Sequence, residues 1–279
     1  LHRVDRRQRQ MCIRDSIWMN SDKLETRDKR EQAGTVKLSA RLLTVAGFVR
    51  QGSRIADVGT DHGYIPVYLA QTGRISSALA MDVRYGPLER AQAHVREYQA
   101  WERARRQDFP AVPIKTRLSD GLKELKPGEA DTVIIAGMGG ELIIKILDEG
   151  RHVWDSVKQY ILSPQSDLDK VRRYLAGHGF AIEDEAMVKD EGKYYTVMSV
   201  KRGFMEYESQ AHYLYGRLLI GKKDITLREY LDRETLRIEK ILESLQEKEG
   251  ITDTETRAEA RISRQKELSW IKEAQDEMQ

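Results

Sequence analysis

The segment RIADVGTDHGYIPVYL, residues 54–69, constrains the fold more than any other stretch of the chain. After Arg54 come the apolar Ile55, Ala56 and Val58, then Gly59, and from 64 to 70 the apolar spacing becomes helical. A buried strand that turns through glycine into a helix belongs to an open α/β sheet. Asp57, Asp61 and His62 then lie at the strand's mouth, where such sheets bind nucleotide-like ligands. Gly59 lets the backbone come close to a ligand. The turn is not the G-x-G-x-x-G dinucleotide fingerprint, because only Gly59 and Gly63 are present, and it lacks the lysine of a P-loop.

A second strand over 75–81 ends in Asp82, about 20 residues past the turn, where an acidic residue accepts ribose hydroxyls. A dinucleotide also needs its pyrophosphate held by N–H groups at a helix start, and Asp57 and Asp61 repel that charge. S-adenosylmethionine, an adenosine joined to a sulfonium and a zwitterionic amino acid, suits these carboxylates. NAD is the competing cofactor, and turns with a purely structural role are the reading without a ligand. After a third strand at 112–118, Ser119, Asp120, Gly121 and Leu122 offer a short carboxylate for an adenine amino group, with space beside it. Asp-Gly alone only marks a turn. Following Asp57, Gly59 and Asp82 in strand order, it becomes the third member of a cofactor set. After a fourth strand at 131–136, IIAGMGGELI sets Gly137, Gly139 and Gly140 before a helix, an open backbone surface for a planar or methyl-bearing group. Met138 either covers that pocket or packs inward.

Strands are also predicted at 159–163 and 193–200, the latter antiparallel to 181–188, with helical patterns at 64–71, 86–104 and 139–147. Leu38, Leu42, Leu43 and Val45 predict a helix before the first strand. This order suits a mostly parallel sheet better than a sandwich or barrel. Beyond Gly203, Leu231, Thr235, Ile238, Leu242 and Leu245 recur at spacings of four and three, a coiled-coil-like seam. Gly250 is expected to end that helix, and a second from about Thr254 carries Ile262, Leu268 and Ile271. Three parts are expected: a polar extension over 1–35, disordered or extraneous; a cofactor-binding domain over 36–202; and a helical hairpin over 203–279, either packed on the main domain or serving as a binding arm.

With 279 residues, 40% of them hydrophobic, the chain can build one main core and an appendage. A net charge of +2 permits nucleic-acid binding without indicating it. Cys12 stands alone, which excludes an internal disulfide, and His152, His178 and His212 are isolated, so no metal is expected. No apolar run approaches the roughly 18 residues of a membrane span, and no signal-peptide centre is present. A cytoplasmic location without membrane contact is the expectation.

The segments KLSARLLTVAGFV, RIADVGTDHGYIPVYL, DVRYGPLERAQ, LSDGL, DTVIIAGMGGELI, ILSPQSDLDKVRRYL and DEGKYYTV together resemble the bacterial tRNA (adenine(22)-N1)-methyltransferase family, a class I S-adenosylmethionine-dependent group. The resemblance covers residues 36–245, and DHGYIP with AGMGG is its most distinctive part. It implies a Rossmann-like methyltransferase domain of the α/β class with a mostly parallel sheet, followed by a small helical, coiled-coil-like domain. It also implies methyl transfer to N1 of a D-loop adenine in tRNA. It implies Asp57, Gly59, Asp61 and His62 around the methionine portion of S-adenosylmethionine, Asp82 at the ribose, and Asp120 with Gly121 at the adenine. Ala136, Gly137, Met138, Gly139 and Gly140 would lie between cofactor and target base.

Asp61 is the expected catalytic residue, stabilising charge on the methylated adenine or receiving a proton; its alternative role is to hold the cofactor or the loop. Tyr64, Tyr85 and Met138 are expected as pocket walls for an extruded base. Arg84, Arg90, Arg96, Arg103, Arg105, Arg106, Lys170, Arg172 and Arg173 are expected along the RNA backbone. tRNA is the expected partner, with no obligate protein partner. The different-class alternatives are a non-catalytic RNA- or protein-binding module and a methyltransferase of small molecules.

Overall fold

The computed structural model describes residues 36–105, 111–246 and 254–279. The expectations placed on 1–35, on the Arg105 side chain, on Arg106 and on Gly250 lie outside the described residues. The chain divides into two units, Leu1–Lys37 and Leu38–Gln279, and all the elements below belong to the second.

A first helix, α1 (Ala40–Phe48), starts at Ser39, whose hydroxyl accepts the Leu42 N–H, and it buries Val45 and Ala46. The strands are β1 (Ser53–Val58), β2 (Ile75–Asp82), β3 (Ile114–Leu118), β4 (Thr132–Met138), β5 (Gln159–Pro164), β6 (Phe180–Asp190) and β7 (Lys193–Arg202). They form one sheet in the order β3-β2-β1-β4-β5-β7-β6. The first five are parallel, and β7 runs antiparallel to both β5 and β6. Helices α2 (Tyr64–Gln71), α3 (Tyr85–Arg105), α4 (Gly140–Glu149) and α5 (Leu168–Gly177) make the crossovers. Covered on both faces, the central strands read as continuous apolar runs: Val133, Ile134 and Ile135 of β4 and Ile161 and Leu162 of β5 have no exposed surface.

The mostly parallel α/β sheet and its antiparallel end agree with the sequence reading. What the periodicity did not contain is that β7 inserts between β5 and β6. The topology also positions the site. The chain steps outward from β1 to β2 and β3, then returns to lay β4 on the other side of β1. The crevice beyond the carboxyl ends of β1 and β4 is therefore the switch point of the sheet, the place where such sheets hold ligands.

After β7 a short π-helical turn (His212–Gly216) leads into α6 (Arg217–Gly221), then α7 (Ile225–Gln246) and α8 (Thr254–Glu277). Leu231 and Ile238 of the predicted seam are fully buried, and they share a cluster with Tyr215, Leu219, Ile271, Ala274 and Met278. Ile262, expected on the apolar stripe of the last helix, is instead 62% exposed. The stripe of α8 runs through Ile271 and Ala274 nearer its carboxyl end and is continued by Met278 just beyond the helix. Met205, Tyr207 and Leu218 pack against the core of the sheet, so the stretch just after Gly203 is shared between the sheet and the helical region. Among the described residues, no helix is long and apolar enough to cross a membrane.

One cation expected on the RNA side is elsewhere. Arg172 of α5 is fully buried, donating from Nε and Nη2 to Glu185 of β6 at 3.0 and 2.9 Å and from Nη1 to the carbonyls of Tyr213 and Leu214. A guanidinium enters a core only when its donors are matched, and its fork matches a carboxylate plus two free carbonyls of the π-helical turn.

Candidate active site

The carboxyl ends of β1 to β4 surround a cleft of about 520 Å³, a volume within the range of small-ligand sites. Asp57 lies one residue before the end of β1, and its buried carboxylate accepts the Thr60 hydroxyl at 2.7 Å. The chain then turns at Gly59, whose φ of +74° is a conformation that L side chains rarely adopt and that glycine takes without strain, and Met138 Cε packs against it. The N–H groups of Gly59 and Thr60 both donate to the Met81 carbonyl, which ties this turn to the end of β2. Asp82, the last residue of β2, is buried and accepts the Arg84 N–H at 2.9 Å. Beyond β3, Asp120 is exposed at the rim. Its hydrogen bond from Lys123, at 2.5 Å, holds the carboxyl below its usual range, so it faces the cleft as an ionised acceptor.

Of the residues singled out from sequence, Asp57, Gly59, Asp61, Tyr64, Asp82, Arg84, Asp120, Gly121, Ala136, Gly137 and Met138 line this one cleft. His62, Tyr85, Gly139, Gly140 and Arg173 do not. The His62 ring stacks on Tyr64 and His94, with centroids 5.2 and 5.8 Å away, and its carbonyl meets His94 Nδ1 at 2.8 Å, which anchors the turn to α3. Gly139 and Gly140 face the chain after β5: a β-carbon on Gly140 would come within 2.5 Å of the Ser166 carbonyl oxygen. Their smallness serves a backbone crossing and not an open ligand surface. Gly121 similarly admits Ile146, which a β-carbon would meet at 3.0 Å. Arg173 lies over the Tyr213 ring at 4.0 Å and donates to Gln210, and Tyr85 is exposed at the start of α3. Met138 resolves its two readings together, since it lines the cleft and also packs on the core.

Asp61 adopts a left-handed conformation with φ of 45° and pairs with Arg90 at 3.0 Å, its side chain mostly exposed on the cleft wall. Arg41, Thr60, Leu142 and Gln165 line the cleft without having been singled out. Arg41 had a signal: it lies four residues before Val45 on the buried face of an apolar helix, where a cation is out of place unless something answers it. Among the described residues, no group of three or more His, Cys, Asp or Glu side chains could hold a metal ion.

Burial pushes the Asp57 carboxyl up to about 6, helped by the charge of Asp82 and opposed by the Thr60 hydrogen bond. In the folded chain this group therefore keeps its proton to higher pH than when unfolded. The contribution of Asp57 to the stability of the empty protein falls as pH rises from about 4 to about 6 and is constant above, because through this group the folded state binds more protons only inside that window. Asp57→Asn removes the charge and keeps an acceptor for Thr60. It is expected to stabilise the empty protein at pH 7.5 by roughly 2–3 kcal/mol, the free-energy equivalent of the shift. It is also expected to flatten the pH 4–6 slope; urea denaturation at pH 4 and pH 7.5 checks both. A cationic ligand should prefer the ionised form, so its affinity should weaken below pH 6 in the parent protein and not in the variant.

The chain matches a methyltransferase-domain family over residues 38–198. It is 33% identical to the tRNA (adenine(22)-N(1))-methyltransferase of Bacillus subtilis over 186 residues, 67% of this chain and 74% of that protein. The crystal structure of the B. subtilis m1A22 tRNA methyltransferase is similar with a TM-score of 0.70 and 29% identity, covering 86% of this chain and 99% of that one. A candidate tRNA (m1A22) methyltransferase of Streptococcus pneumoniae, solved in complex with S-adenosyl-L-methionine, is similar with a TM-score of 0.70 and 31% identity, over 85% of this chain and 99% of its own.

Proposed function

Because this chain belongs to the tRNA (adenine(22)-N1)-methyltransferase family, we propose that it transfers the methyl group of S-adenosylmethionine to N1 of adenine 22 in the D-loop of tRNA. The observation that supports this most is the convergence of Asp57, Asp82, Asp120 and the Ala136–Gly137–Met138 end of β4, from four successive strands, on one cleft. The donor set fits the cofactor. The buried Asp57 suits the cationic methionine end, the buried Asp82 can take a ribose diol, and the ionised Asp120 can accept from an adenine amino group.

When bound, S-adenosylmethionine supplies an electrophilic methyl group on a sulfonium. The residues of this chain have positioning to do, since adenine N1 already carries an in-plane lone pair and no base has to create the nucleophile. Alignment of that kind can contribute about 7 to 11 kcal/mol in favourable cases. The N1 lone pair forms the new bond to carbon, and the carbon–sulfur bond breaks with its electrons left on sulfur. The cationic base then loses an amino proton to solvent. Asp61, paired with Arg90 at the cleft wall, is the residue we assign to stabilising that positive charge. N1 lies on the Watson–Crick edge, so the base must leave its stack to react. Tyr64 and Leu142, each nearly half exposed at the lip, and Met138 deeper in offer it apolar walls.

On this reading Gly59 and His62 shape the methionine end, His62 through the stack that holds its loop. Gly121 sits by the adenine, and Gly139 and Gly140 fix the turn beside the target. Arg84 contributes at the mouth, while Tyr85 and Arg173 serve the approach of the RNA. The region 203–279 is the proposed tRNA-binding aid next to the 36–202 methyltransferase domain. The enzyme acts in the cytoplasm with no obligate protein partner.

The test is methyl transfer to unmodified tRNA followed by nucleoside mass spectrometry and mapping of the product. The expected product is 1-methyladenosine at position 22, lost when that adenine is replaced. Methylation of a free metabolite with tRNA left untouched, or cofactor binding with no transfer to any tRNA, would overturn the substrate assignment.

A further inference from the structure

The guanidinium of Arg41 is held in place but not satisfied. Its helix is pinned at the start by the Ser39 cap and by Asp190, the last residue of β6, whose carboxylate accepts the Arg41 N–H at 3.2 Å. The head group lies over the Tyr195 ring, 5.1 Å from its centroid, and faces Gly137, where a β-carbon would stand 3.3 Å from Nη1. Nη1 is buried and, among the described residues, has no hydrogen-bond partner. A buried cationic donor without an acceptor is costly, and a ligand that brings the acceptor removes the cost.

The charges around the cleft say what that ligand group is. Among the described lining residues, the cations are Arg41 and Arg84. Arg84 is mostly exposed and stands 3.8 Å from Asp82. Asp61 has Arg90 and Asp120 has Lys123. Among the described residues, Arg41 is the lining cation with no ion-pair partner within reach of its guanidinium. On the proposed reading the cofactor brings a sulfonium and an ammonium, which the carboxylates suit, and a carboxylate, which they repel.

Resting on that reading of the cleft, we infer that Arg41 is the residue that receives the amino-acid carboxylate of S-adenosylmethionine, and that Gly137 lacks a side chain so that the guanidinium can reach it. An RNA phosphate is the competing anion. It carries chain on both sides and meets its cations at exposed positions, whereas Nη1 has no exposed surface. Arg41 thereby links cofactor occupancy to α1 and, through Tyr195 and Asp190, to the β6–β7 hairpin.

The test compares, by titration calorimetry, S-adenosylhomocysteine with the same thioether lacking the carboxylate, 5′-deoxy-5′-(3-aminopropylthio)adenosine. The proteins are the full-length parent and Arg41→Met, and filter binding gives their affinity for tRNA. The parent should prefer the carboxylate-bearing ligand by at least about thirtyfold, the effect of one charge-assisted bidentate contact. Arg41→Met should bind both ligands alike, with S-adenosylhomocysteine weakened by that same factor and tRNA affinity unchanged. Equal affinity of the parent for the two ligands overturns the inference without any variant. So does a variant that keeps the parent's discrimination, or one that loses tRNA affinity with S-adenosylhomocysteine binding intact. A parent that binds neither ligand removes the cofactor reading and this inference with it.

Discussion

Asp82→Ala is expected to weaken S-adenosylmethionine binding by two orders of magnitude or more, with little change in thermal stability. The carboxylate is buried at the tip of β2, where its interaction with the protein is the hydrogen bond from the Arg84 N–H and the nearby Arg84 side chain. A ribose diol would give it two charge-assisted hydrogen bonds, each worth about 1.5–3 kcal/mol, and even the lower sum exceeds a hundredfold in affinity. The variant carries a second signature. The charge of Asp82 is one of the causes that raise Asp57, so its removal should move the acid limb of cofactor binding to lower pH. Calorimetry from pH 5 to pH 8 reads both effects. A loss smaller than threefold would take Asp82 out of the ribose site.

Arg172→Met is expected to lower stability by about 3–5 kcal/mol, the usual result of stripping the partner from a buried charge. Glu185 would be left in the core, and the carbonyls of Tyr213 and Leu214 would lose their donor. For a chain of this size the melting temperature should fall by on the order of 10 °C. The double variant Arg172→Met with Glu185→Leu should recover most of that, because apolar residues of similar volume can replace a buried pair at little cost. Equal destabilisation by the single and double variants would mean that the contact with the π-helical turn, and not the ion pair, carries the effect. Gly216 belongs to the same knot: its φ is +95° and a β-carbon there would meet Glu185 Oε2 at 2.6 Å.

The sequence made the cleft legible where chemistry sits at the end of a strand. Asp57, Asp82 and Asp120 each follow an apolar run and precede or adjoin a turn, and parallel strands bring such ends to one edge of a sheet. Roles that depend on what lies opposite were not legible. Gly139 and Gly140 read as open ligand surface because nothing local announces the chain at 166–167 that crosses them. Arg172 read as a phosphate contact because the pattern around it, with Val171 and Leu175 apolar, puts charges on the outer face of a helix; the receiving Glu185 and π-helical turn lie 13 and 41–42 residues away. Arg41 was passed over for the converse reason, since its surroundings are completed by a hairpin some 150 residues later.

The order in which the sheet is laid down has a consequence for synthesis. β1 leaves the ribosome well before its neighbour β4, which runs from 132 against a β1 that starts at 53, and the Asp190 contact that pins α1 spans 149 residues. The β1–β2–β3 half of the cleft can form early and present its glycine turn and Asp82, but the wall made by Ala136 to Met138 and the seat of Arg41 cannot exist until the later strands have emerged. Closing separations of this size is slow compared with local helix formation. A nascent chain arrested before β7 should thus be unable to retain the cofactor, and ligand binding would stabilise only polypeptide whose translation has passed the hairpin. The methyl donor then acts late, as a lock on finished molecules and not as a template for folding.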